Sequence, residues 1–124
     1  MNAVVIVAVG GGIGAAARYL ANVAAGRLLG TAFPYGTLLV NVVGSLAMGL
    51  LVGLFARRGA SMELRLFLAT GVLGGFTTFS AFSADAVALF ERGDVAIAGG
   101  YVVGSVVLSI AALAAGLGLV RVWA

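Results

Sequence analysis

Four long apolar runs separated by short polar turns make up nearly the whole chain: residues 3–25, 36–56, 64–90 and 95–120. A helix needs about 20 apolar residues to cross the hydrocarbon of a bilayer, and each run meets that length. The pattern predicts an all-α integral membrane protein in which residues 1–124 form a single four-helix transmembrane domain. The turns carry breaking residues: Gly30 to Pro34, then Arg57 to Ser61, then Arg92 to Asp94. Ser61 is placed to cap the third helix, with Glu63 in its first turn suiting the helix dipole. The third run departs from the pattern. Its middle, Gly71 to Ser83, reads GVLGGFTTFSAFS and sets hydroxyls where hydrocarbon offers them no partner. Gly74 and Gly75 can break the helix there, with Thr77, Thr78 and Ser80 satisfying the freed backbone or leaving carbonyls for a cation.

Composition removes most other classes. The chain is 63% hydrophobic and only 9% charged, too apolar for a water-soluble domain of 124 residues. It has no Cys and no His, which excludes disulfides, thiol chemistry and imidazole ligands. No basic residue precedes the first run and three further runs follow, so a cleaved secretory signal fits poorly and the first span is expected to be retained. The net charge of +3 is spread over span ends, so nucleic acid is not an expected partner, nor is a soluble protein implied. With four spans, Arg57, Arg58, Arg65 and Arg121 fall on one side and Arg27 and Arg92 on the other. That is a weak positive-inside bias, permitting insertion in both orientations.

Glycine, 20 residues in all, lies inside the spans as well as in the turns, which favours close helix packing. The run Gly10 to Ala15 after Ala3 to Val9 imitates a strand and dinucleotide-binding loop. The acidic residue that such a loop needs about 20 positions later is missing, because the first acid in the chain is Glu63. Close helix packing is therefore the better account. Four helices of this size are too few to enclose a water-lined route, and a homo-oligomer is the natural way to obtain one.

The remaining polar positions have two uses each. Arg18, inside the first span, either snorkels to a headgroup or makes a vestibule electropositive. Asn41, in the middle of the second, either bonds to a neighbouring helix or donates to a permeating anion. Phe79 and Phe82, three apart, share a face; they are core aromatics or present positive ring edges to an anion. In the second of these uses, Phe79 to Ser83 is an anion-facing wall. Tyr101, Ser105 and Ser109 form one polar stripe on the fourth span, better suited to lining a pathway than to isolated helix contacts.

Three segments in order, Gly11 to Tyr19, Gly36 to Gly44 and Gly74 to Ser83, resemble the Fluc/CrcB fluoride channels. The match covers the first three spans, and the fourth agrees in length and polar stripe. The resemblance implies an antiparallel dual-topology homodimer with two pores, passing fluoride passively across the bacterial plasma membrane. It implies that Asn41, Phe79, Phe82, Ser83, Tyr101, Ser105 and Ser109 line the fluoride pore. It further implies that the backbone carbonyls of Gly74 and Thr77, from both subunits, hold a structural sodium ion at the dimer centre. The chain departs from the family at Ala81, where Thr is common, at Asp85, where Glu is usual, and at Leu46, where Phe is frequent.

Two other functions compete. A small proton-coupled multidrug transporter shares the size and dual topology but needs a membrane-embedded carboxylate, and the first span has none. A structural subunit of a larger complex would use the same polar groups only as glue. No enzyme chemistry is expected of either or of a channel.

Overall fold

Asn2 caps α1 (Ala3–Leu29) by accepting the Val4 amide at 2.7 Å, and Gly30 ends it with a φ of 83° that suits glycine. α2 (Tyr35–Arg58) follows Pro34 directly and stops at Gly59, whose φ of 72° again favours glycine. Ser61 caps α3 (Met62–Arg65), its hydroxyl accepting the Leu64 amide at 3.1 Å as expected. α3 runs without interruption into a π-helical segment, Leu66–Leu73, and then into one more α turn, α4 (Gly74–Phe76). The chain is extended at Thr77 and Thr78, resumes as α5 (Phe79–Glu91), turns at Gly93 and ends in α6 (Val95–Trp123). This computed structural model describes residues 2–123, and among them there is no strand. Counting Met62–Glu91 as one broken rod, four helices are long and apolar enough to cross a membrane, each a few residues longer than expected.

The third helix breaks as predicted, but three residues later than the glycine pair. Gly74 and Gly75 stay helical, and the extended backbone falls on Thr77 and Thr78. Packing accounts for the shift. A side chain at Gly75 would collide with the Gly11 carbonyl, so this glycine serves close approach to α1 rather than chain freedom. The β-branched threonines suit extended backbone, and the Thr78 hydroxyl caps α5 by accepting the Ala81 amide at 3.1 Å.

Two pairs of helices make the bundle. α1 lies against the π segment and α4, where Gly10 and Gly14 meet the carbonyls of Phe67 and Val72. The glycines of the imitation dinucleotide loop are thus packing surface inside a continuous helix. α2 lies against α6, with Gly49 on the Leu113 carbonyl, Gly53 on the Val120 side chain and Gly116 on Leu46 and Leu50. Such contacts let dispersion act between backbones where lipid removes the hydrophobic drive. At one end of the bundle Arg92 donates to the Ala32 carbonyl at 2.7 Å and pairs with Asp94 at 3.0 Å. At the other, Arg57 donates to the Arg121 carbonyl at 2.9 Å. The arginines therefore divide between the two ends as the four-span count requires.

Candidate functional site

A groove of about 350 Å³ opens on the side of the bundle where α2, the break, the start of α5 and the middle of α6 meet. Its polar lining is Asn41 and Ser45 from α2, Thr77 and Thr78 from the break, and Ser105 and Ser109 from α6. Phe79 and Phe82 form its aromatic wall, and Met48, Val106, Ile110 and Leu113 complete it with apolar groups. Residues from three distant parts of the sequence thus converge on one surface. The Ser105 hydroxyl is buried there with no hydrogen-bond partner among the described residues. A buried orphan hydroxyl costs about 1–3 kcal/mol, which a ligand accepting its proton would offset.

The break is held from both sides. Asn41 Nδ2 donates to the Thr78 carbonyl at 3.0 Å, and the Thr78 amide donates to Asn41 Oδ1 at 2.8 Å. Asn41 is therefore the interhelical clamp that one use predicted, and it also lines the groove; its second amide hydrogen is not consumed by Thr78. In an unbroken helix the Thr78 amide would serve the Gly74 carbonyl and the Ala81 amide the Thr77 carbonyl. Both donors go elsewhere, to Asn41 Oδ1 and Thr78 Oγ1. The two released carbonyls lie at the negative end of the Met62–Phe76 rod, a donor set that suits a hard cation. Among the described residues no cluster of His, Cys, Asp or Glu offers an alternative metal site.

Arg18 reaches this same place. Its Nε donates to the Gly75 carbonyl at 3.0 Å, another group freed by the break. It caps a helix end, with its charge opposite the negative pole of the dipole.

The aromatic wall is graded in exposure. Phe82 is 7% exposed and packs on Tyr101 at 5.2 Å between ring centroids, whereas Phe79 is 77% exposed and rests on Phe82 at 5.5 Å. Phe33 meets Tyr101 edge-on from the far side at 5.4 Å. Tyr101 is buried behind the wall and donates its hydroxyl to Asp85 at 3.1 Å. Ser83 points its hydroxyl back to the Phe79 carbonyl at 2.9 Å and is not among the groove-lining residues. The structure thus brings together Asn41, Phe79, Phe82, Ser105 and Ser109 in the groove lining, which includes neither Tyr101 nor Ser83. Ser45 and the threonine pair complete the lining, and the spacing of four between Asn41 and Ser45 was the available signal for the first of them.

The chain matches the family model described as CrcB-like protein, Camphor Resistance (CrcB), over residues 5–117. It is 59% identical over 117 residues to the fluoride-specific ion channel FluC of Rhodopseudomonas palustris, covering 94% of each chain. A protein of the same name from Agrobacterium fabrum is 60% identical, covering 95% of each, and one from Paracoccus denitrificans is 61% identical, covering 90% of this chain and 88% of that one. Identity at this level along almost the entire length, together with the groove and the broken helix, makes the chain a member of the CrcB family.

Proposed function

We propose that this chain is a fluoride-selective channel, a multi-pass protein of the bacterial plasma membrane that passes fluoride passively outward and so lowers its cytoplasmic level. The observation that carries the proposal is the groove itself. Spare hydroxyl donors on Ser105 and Ser109 line it together with the rings of Phe79 and Phe82, with no carboxylate in the lining. Donors and positive ring edges can replace the hydration shell of a small anion, and no bond is made or broken, so the protein is not an enzyme. The names of its relatives supply the ion.

One chain provides only half of such a pathway. The groove is open along its side and has space for several waters, and Phe79 stands largely exposed at its rim. A second copy, inverted in the membrane, would close it and yield an antiparallel dual-topology homodimer with two pores. The released carbonyls of Gly74 and Thr77 from both copies would then hold a sodium ion, which supplies fixed positive charge and ties the two breaks together. Asn41 and Arg18 are the residues of this chain that keep those carbonyls in place. A proton-coupled transporter is disfavoured by the placement of Asp85, the one acid between Glu63 and Glu91, which is engaged by Tyr101 away from the groove.

Fluoride efflux from liposomes containing the purified protein tests the proposal. Fast, passive efflux with exclusion of chloride is expected; vesicles that retain their fluoride in the presence of folded protein would refute it.

A further inference from the structure

α2 and α6 run parallel, and two of their contacts share one register. Gly49 packs on Leu113, and Arg57 donates to the Arg121 carbonyl, a sequence separation of 64. The same separation pairs Thr37 with Tyr101, Asn41 with Ser105 and Ser45 with Ser109. Successive pairs are four residues apart on each helix, hence about 6 Å apart along the bundle. Thr37 and Tyr101 are buried behind the aromatic wall, whereas the next two pairs lie in the groove. The stripe on α6 therefore faces a matching stripe on α2, and Ser45 is its third member.

Ser45 is placed to donate into the groove. A hydroxyl in a transmembrane helix ordinarily bonds to the carbonyl one turn before it, as Thr77 does to Leu73 and Ser83 to Phe79. Among the described residues Ser45 makes no such bond, and its side chain is half-buried in the groove lining. Beyond it the lining turns apolar with Met48 and Leu113. An anion leaving Asn41 and Ser105 toward that end meets Ser45 and Ser109 as the last hydroxyl pair.

We infer that Ser45 is a permeation residue, forming with Ser109 a two-sided rung that takes fluoride from the Asn41–Ser105 rung. The inference rests on the channel function proposed above. Single-channel recording in planar bilayers separates conduction from folding, because a structural defect changes the number of open channels and a pore defect changes the current through each. Ser45→Ala is expected to lower unitary fluoride conductance at least threefold, as is expected of Ser109→Ala, and Ser45→Cys, of similar shape but a weaker donor, to fall between. Unitary conductance within a factor of two of the wild type in Ser45→Ala would overturn the rung, whatever the effect on channel number. If Ser45→Ala does not fold, the same criterion applied to Ser45→Cys decides. Wild-type protein without fluoride current would refute the channel function itself, whereas normal wild-type current with unchanged variants refutes only the role of Ser45.

Discussion

Asn41 and the backbone of Thr78 hold each other reciprocally, amide to carbonyl at 3.0 Å and amide to side-chain oxygen at 2.8 Å. A side chain on one helix thus substitutes for the i, i+4 partners that another helix loses where it breaks. The arrangement sets the direction in which α5 leaves α4, and with it the position of Phe79 and Phe82 in the groove.

Replacing Asn41 tests this coupling. Asn41→Leu leaves both Thr78 groups without their partner, at a cost of about 1–3 kcal/mol, and is expected to lower thermal stability and fluoride efflux together. Asn41→Asp keeps the acceptor for the Thr78 amide but sets an oxygen against the Thr78 carbonyl and a negative charge in the anion path. Efflux is expected to vanish in Asn41→Asp with a smaller loss of stability. Equal efflux in the aspartate variant and the wild type would show that Asn41 does not border the path.

Arg18 provides a second test of the break. A hydrogen bond from a charged donor contributes about 1.5–3 kcal/mol, and Arg18→Ala forfeits the one to Gly75. The melting temperature of the purified protein is expected to fall, and Arg18→Lys to rescue it poorly because an ammonium lacks the planar Nε donor. If Arg18 serves instead as a vestibule charge, the lysine variant will keep both stability and flux.

Much of the architecture was legible in the chain, and the misplaced details share a cause. Span number, the Ser61 cap and the existence of a break follow from local chemistry: apolar length, a hydroxyl before a helix, hydroxyls and glycines in hydrocarbon. The position of the break does not, because Gly75 is helical only by virtue of α1 lying against it, a contact 60-odd residues away in sequence. The π segment Leu66–Leu73 contains no Pro and likewise packs on Gly10 and Gly14. For the same reason Arg18 gave no hint of its partner at Gly75.

The two phenylalanines should separate under substitution. Phe82 is buried against Tyr101, so Phe82→Ile removes ring contacts worth about 0.5–1.5 kcal/mol and is expected to reduce both stability and flux. Phe79 is largely exposed within one chain, so Phe79→Ile should leave the fold of a subunit intact and act on flux alone. Thermal melts alongside efflux rates distinguish them. Undiminished flux in Phe82→Ile would remove that ring from the pore.

The proposed sodium ion at the break is open to direct removal. Exhaustive exchange of sodium for a bulky organic cation is expected to lower efflux several-fold and to be reversed by readdition. Thr77→Ser should behave as wild type, because the proposed ligand is the Thr77 carbonyl and the serine hydroxyl can still bond to the Leu73 carbonyl as Thr77 does. Full flux in sodium-free protein would eliminate the ion from the mechanism.

Orientation in the membrane is decided by the two ends of the bundle. Arg27 lies near the Arg92 end and Arg58 near the Arg121 end, and since the chain has no native Cys, Arg27→Cys and Arg58→Cys each introduce a unique thiol. An impermeant thiol reagent added to one side of sealed vesicles reaches only the ends that face it. If the subunits insert in both orientations, each variant will label to about half from the outside and will complete only when the membrane is opened. Four arginines at one end against two at the other is a weak bias under the positive-inside rule, and that is why half-labelling is expected of both positions rather than of one. Complete outside labelling of one variant with none of the other would establish a single topology, and the antiparallel dimer would then be excluded.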